Sequence, residues 1–221
     1  MNGQELADAD GTQLVGFFAA GECACVSVHG ANRLGTNSLL EASLFGLRAG
    51  CSLAEFVLGG AALQPAYEQA QARQQARLAH LLDGEGTESV GAIAAELKDT
   101  MTQSVGVFRD AARLAQAQET VKSLQQRFAK ARSRDRSKRC ITDLLATIET
   151  EHLLTFAEVV VDSALNRTES RGAHYRTDHA KRDDEQWLKH TLAFKGEDAP
   201  ELDYKPVTIF WDRYPPQERK Y

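Results

Sequence analysis

The stretch LVGFFAA, Leu14 to Ala20, constrains this chain more than any other. It is short, apolar and aromatic-rich, and turn residues bound it, which is the pattern of a strand buried on both faces as in a parallel sheet. Such a strand cannot stand alone, because backbone N–H and C=O groups kept from water must be paired by neighbours on both sides. No second run of the kind follows through the long helical middle of the sequence. The sequence therefore predicts a strand that has lost its sheet or whose sheet belongs to something else.

After a loop, GECACVSVHGANRLGTN, residues 38–58 read as a helix that is apolar nearly all round, with Leu39, Leu40, Leu44, Phe45, Leu47, Leu53, Phe56 and Val57. A helix of this kind is predicted to be buried. Ala42, Gly46, Gly50 and Ala54 recur at every fourth position and leave one stripe nearly bare. Each of the two glycines costs about 1 kcal/mol against alanine, so a compensating close contact is expected there.

Composition narrows the function classes. A net charge of -5 and a pI near 5.7 supply no basic surface for nucleic acid. The amino-terminal MNGQELADADGTQ is acidic and polar, unlike a signal peptide, and no apolar run reaches membrane length. The expectation is a cytoplasmic chain with no span of its own. Cys23 and Cys25 form a lone C-x-C with no second pair, and Cys51 and Cys140 stand apart. No zinc site follows from that spacing, and the four are predicted to be buried free thiols, with no metal.

Beyond residue 64 the helical pattern dominates. Gln64 to about Asp83 is a polar, glutamine-rich helix with Pro65 at its start, and Asp83 to Thr87 is a linker. Val90, Ile93, Ala94, Leu97, Met101, Val105 and Phe108 keep three-four spacing, and Leu114, Val121, Leu124 and Phe128 continue it. A third stripe, Ile141, Leu144, Leu145, Ile148, Leu154, Ala157 and Val160, completes a bundle of about three antiparallel helices. The run ARSRDRSKR, Ala131 to Arg139, reads as a solvated basic turn. From Asn166 charges of both signs crowd the chain, QWLKHTLAFKG and ELDYKPVTIF suggest short strands or extended arms, and DRYPPQERKY an extended tail.

The loop carries the chemistry. Glu22 follows the strand where open α/β sheets place ligands, and its carboxylate suits a sugar or ribityl hydroxyl. Asn37 and Ser38 are both good caps at the helix entrance, whose first N–H groups favour negative charge. Arg33, between small neighbours, can reach a ligand carboxylate in a bidentate clasp. From the residues alone, a plain ion pair for Arg33 stays as open as a ligand clasp, and a bare cap is the stronger reading of Ser38.

The stretch GECACVSVHGANRLGTNSLLEASLFGLRAG, with NRTESRGAHYRTDHAKRDDEQWLKHTLAF, LDYKP and the closing ERKY, closely resembles the flavoprotein subunit of succinate dehydrogenase and fumarate reductase across essentially the whole chain. L-aspartate oxidase shares the HGANRL-type loop and an ESRG-x-H segment and stands as a minor alternative. The resemblance implies FAD as cofactor, with Glu22 at the ribityl side and Ser38 and Leu39 at the pyrimidine end of the isoalloxazine. It implies that Arg33 grips a carboxylate of succinate or fumarate. Partners implied are an iron-sulfur subunit and, indirectly, membrane anchor subunits, which would set the chain on the inner face of the membrane. Glu169, Arg171, His174 and Arg176 read as an ion-paired packing network, and His29 as a structural histidine beside the cofactor, not a flavin attachment site.

Departures from the family pattern are few: Leu14, Val15 and Phe17 replace a V-P-G-[LY] approach, and Leu47 stands where a second arginine is common. The larger departure is that this sequence has no G-x-G-x-x-G segment, no flavin-attaching histidine, no capping domain and no proton-shuttle arginine, so no catalytic residue is assigned. The expected fold is mostly α. It comprises an α/β FAD-binding remnant over residues 1–62 (one strand plus a buried helix), a helical domain over 63–165 and a small irregular carboxy-terminal domain with short strands over 166–221. The expected function is a portion of the flavoprotein, inactive alone. The alternative is a non-catalytic helical module complementing a separately encoded amino-terminal half.

Overall fold

The computed structural model describes residues 5–7, 13–60, 67–83, 86–135, 137, 140–210, 213–215 and 217. Pro65, Gly84 and Glu85 of the linker, Arg136, Lys138 and Arg139 of the basic run, and most of the final tail lie outside them. The chain forms two compact units, Met1–Arg77 and Leu78–Tyr221.

In the first unit the predicted strand is β2, Gln13–Phe18, but it pairs antiparallel with β1, Glu5–Ala7, and has no parallel neighbour among the described residues. It is not buried: Val15 is 76% exposed and Phe17 59%. Gly16 takes a φ of +83° and lies against Phe56, whose ring would stand 3.1 Å from a Cβ placed there. That close approach, with the edge-on pair Phe18–Phe56, seats β2 on α1, Asn37–Leu58.

The prediction that this helix is buried fails. Leu39, Leu40, Leu47, Val57 and Leu58 are each more than 60% exposed, and only Glu41 and Ala49 are buried. Gly46 and Gly50 have nothing within 4 Å of a Cβ position, so the expected close contact is absent among the described residues. The four cysteines are free, as predicted, but exposed rather than buried. The exposure of α1 and of Cys23, Cys25 and Cys51 has one physical cause. The described part of the first unit offers too little apolar surface to cover a helix hydrophobic on every side.

The second unit has a core of its own. After α2, Tyr67–Asp83, helix α3 (Val90–Ser104) is capped by Ser89 and α4 (Ala111–Phe128) by Asp110, whose side chain accepts from the Arg113 N–H at 2.9 Å. Helix α5 runs Thr142–Asn166. Ile93, Leu97, Leu114, Ala117, Val121, Leu124, Leu154, Ala157 and Val161 form the shared core. Arg127, at the end of α4, pairs with Glu88, just before α3, and with Glu96 within its first half. Gln118 bonds Asp162 and Gln125 bonds Glu158, so both helix pairs run antiparallel.

The third stripe is rotated from its predicted phase. Leu145 and Val160 face out, and the buried face is Thr147, Thr150, Leu154, Ala157, Val161 and Ala164. The two threonines enter an apolar core because each hydroxyl donates to the carbonyl four residues back, Asp143 and Ala146, at 2.7 Å. Phe108 leaves the helix too, in β3, Phe108–Arg109, which pairs parallel with β4, Tyr175–Arg176.

The basic run is anchored rather than simply solvated. Ser133 is buried and donates to Asp143, which also accepts the N–H groups of Arg134 and Asp135. Beyond α5 come the short helix α6, Asp184–Trp187, and an antiparallel hairpin of β5, Lys189–Phe194, and β6, Glu201–Pro206.

Candidate functional site

The loop between β2 and α1 opens with a 3-10 turn, Gly21–Cys23, where Gly21 has a φ of +79° and packs on Ala42. Ser27 and Thr36 hold left-handed backbone at φ 60° and 70°. Such conformations cost about 1–3 kcal/mol each and concentrate at ligand-binding loops. Thr36, not Asn37 or Ser38, is the N-cap, and its side chain makes no capping bond. Asn37 and Ser38 therefore lie inside the first turn, where a helix has N–H groups without intrahelical partners.

Those groups differ. The Leu39 N–H donates to the Thr36 carbonyl at 3.0 Å, and that of Asn37 to Leu34 at 3.3 Å. The Ser38 N–H has no acceptor among the described residues. Arg33 and Glu22, the two charged groups singled out in the sequence, meet each other: Nη1 lies 3.4 Å from Oε1, with the side chains 48% and 87% exposed. A pair this long and this wet is weakly held and opens readily for a competing ligand.

His29 lies between them in sequence. Its Nε2 is 3.8 Å from Oε2 of Glu41, and its Nδ1 is buried without a partner. Glu41 also accepts the Gly21 N–H at 3.2 Å. Sequence reasoning passed over Glu41. The available signal was a carboxylate inside an otherwise apolar helical run.

The predicted network of Glu169, Arg171, His174 and Arg176 is assembled, at the other end of the chain. Glu169 is fully buried and receives four bonds: Arg171 in a fork at 2.8 and 2.9 Å, Arg167 at 2.7 Å and the Asp183 N–H at 2.9 Å. Arg176 is 1% exposed. Its Nη1 donates to the carbonyls of Ala164, Leu165 and Arg167, which end α5, and its Nε and Nη2 clasp Asp178. Asp178 in turn accepts the N–H of Ala111, the first residue of α4.

The pair thus sets a cation on one helix's carbonyl end and an anion on another's amide end, the favourable sign at both. The Arg176 guanidinium, with the Ala111 N–H, holds the Asp178 carboxyl well below the usual carboxylate range. Arg167, Asp178 and Asp183 were missed in the sequence, where nothing distinguishes them from other charges of the same dense stretch, and Arg109 was missed as an ordinary charge between two helices.

His174 receives a bond from Arg109 at Nδ1, 2.8 Å away, and its Nε2 lies 3.1 Å from the Arg167 carbonyl. Since arginine only donates, Nδ1 accepts and the proton sits on Nε2. Burial, reinforced by the charges of Arg109, Arg176 and Arg167, pushes His174 below the ordinary histidine value. A group so depressed leaves the unfolded chain binding the extra proton first, so stability falls as pH drops through about 6.5 and below. The unfolding temperature of the second unit is expected to fall between about pH 7.5 and about pH 5.5, and His174→Gln to flatten that slope. Equal slopes in the two proteins would refute this.

Among the described residues no helix is long and apolar enough to cross a membrane.

Comparison with known proteins defines the class. Residues 2–39 match the FAD-binding domain family, and residues 94–221 match the family described as fumarate reductase flavoprotein C-term. The chain belongs to the flavoprotein subunit family of fumarate reductase and succinate dehydrogenase, a family of FAD-dependent oxidoreductases. It is 43% identical over 217 residues to the fumarate reductase flavoprotein subunit of Mycobacterium tuberculosis, covering 95% of this chain and 37% of that protein. It is 36% identical to the succinate dehydrogenase flavoprotein subunit of Coxiella burnetii, covering 99% and 38%.

In structure it is similar to the flavoprotein of Escherichia coli quinol fumarate reductase, with a TM-score of 0.86 and 38% identity over 96% of this chain and 37% of that one. The chain thus spans just over a third of the length of the relatives it matches.

Proposed function

We propose that this chain supplies the substrate-facing loop and the carboxy-terminal domains of an FAD-dependent enzyme that interconverts succinate and fumarate. The observation that carries the reading is the convergence, on one loop, of a loosely paired arginine, an exposed carboxylate and an uncommitted helix amide. The residues present fit FAD. The Ser38 N–H and the buried Nδ1 of His29 both lack partners among the described residues, and Glu22 is open to a polyhydroxyl chain. When bound, FAD supplies the two-electron chemistry.

The chain's own residues bind and orient. Glu22 would accept hydrogen bonds from ribityl hydroxyls. Ser38 and Leu39, at the positive end of α1, would hold the isoalloxazine and would favour negative charge on it. Arg33 exchanges Glu22 for a dicarboxylate, a partner it can clasp with two parallel bonds, and so fixes the carbon skeleton for transfer. Neither a proton shuttle nor a pyrophosphate cradle is among these residues, so the remaining functions fall to a preceding FAD-binding segment. Electrons would leave to an iron-sulfur subunit held at the membrane by anchor subunits.

A second reading draws on the uncovered apolar surface of α1 and β2. Here the chain is an interaction module whose task is to complement an amino-terminal half made separately. An exposed apolar area of this extent marks an interaction surface.

Both readings meet in one experiment. The purified chain is expected to lose FAD on gel filtration. Mixed with an amino-terminal segment corresponding to the rest of a relative, it is expected to retain FAD and oxidise succinate. A yellow chain on its own would contradict the need for complementation. A tight complex without flavin would favour the module reading, and the flavoprotein reading falls if no complex and no flavin result.

A further inference from the structure

The odd feature of α1 is what it buries. Leucines all round the helix face water, while a carboxylate, Glu41, is 6% exposed. Burying a carboxylate before leucine runs against the hydrophobic order and requires specific partners. Glu41 has two, and both lie in the loop. Oε1 accepts the N–H of Gly21, and Oε2 faces Nε2 of His29 at 3.8 Å. Gly21 immediately precedes Glu22, and His29 stands four residues before Arg33. One side chain therefore touches the loop at two points, immediately before Glu22 and again between Glu22 and Arg33.

From this geometry we propose that Glu41 is the positioning residue of the loop. Through Gly21 it fixes the turn from which Glu22 projects. Through His29 it fixes the approach to Arg33, and it turns the histidine ring so that Nδ1 is left inward and unpartnered. The backbone strain at Ser27 and Thr36 is consistent with a loop held in shape by a contact outside itself. What the loop binds rests on the flavoprotein reading above; the clasp itself does not.

The test needs no flavin. In limited tryptic digestion of the full chain, Glu41→Ala is expected to raise the rate of cleavage after Arg33 about tenfold or more, with matching loss of hydrogen-exchange protection across residues 21–36. Glu41→Gln keeps an amide oxygen for the Gly21 N–H and is expected to return the rate to within about threefold of the parent. Exchange in α4 and α5 should be unchanged in both, which separates a loosened loop from a damaged fold.

Equal cleavage in the parent and Glu41→Ala would overturn the assignment, as would a glutamine variant no better than alanine or a loss of protection spread over both units. Absence of flavin from the complemented subunit would sink the flavoprotein reading and leave the clasp standing. Unchanged cleavage would do the reverse.

Discussion

Arg176→Met is expected to cost the second unit about 3–5 kcal/mol, the range for breaking a buried ion pair by removing one partner. Three contributions combine. The carbonyls of Ala164 and Leu165, the first of them in a buried residue, lose their donor at the end of α5. Asp178 loses its clasp and remains at the start of α4 without its counter-charge. The end of α5 and the start of α4 are then no longer tied through a single pair.

Urea unfolding with matched slopes is the measurement. Arg176→Lys should fall between, since an ammonium cannot clasp a carboxylate in a fork and reach three carbonyls as well. The Asp178 carboxyl should return toward the ordinary range near 4, visible by NMR titration. A loss under about 1 kcal/mol would mean water replaces the guanidinium at no great cost, and the account of this corner would be wrong.

The second large effect belongs to Arg33. In the complemented flavoprotein, Arg33→Ala is expected to lower kcat/KM for succinate roughly 100-fold or more, the scale of losing a charge-assisted clasp, while FAD content stays at the parent level. Glu22→Gln should show the opposite split, with FAD retention falling more than turnover per bound flavin. The two residues touch each other at 3.4 Å, so a purely structural pair would lose both properties together in either variant. Equal loss of flavin and turnover in Arg33→Ala would make it structural.

Much of the second unit was legible because its signals are local. Val90, Ile93, Leu97, Leu114, Val121 and Leu124 repeat at the helical period, whereas the caps Ser89 and Asp110 were passed over although each acts on its own helix start. The third helix shows where that method slips. Thr147 and Thr150 look polar in a sequence but are neutralised by bonds within their own helix, so the buried face lay one step round from the leucines.

In the first unit the helix and strand were legible, yet their burial was not, since burial depends on what else is present to cover them. Cys23, Cys25 and Cys51 were misplaced for the same reason.

By itself the sequence determined which segments are helical, which residues of α3 and α4 share a face, and that one loop joins a strand to an apolar helix with an acid and a base along it. Those properties are set within a few residues of backbone. Only the tertiary structure decided that Arg33 rests on Glu22, that Glu41 turns inward to Gly21 and His29, and that Arg176 and Asp178 join two helix ends. Contacts spanning eleven to sixty-seven residues depend on how the chain is folded back, and a charged side chain carries no mark of which partner will meet it.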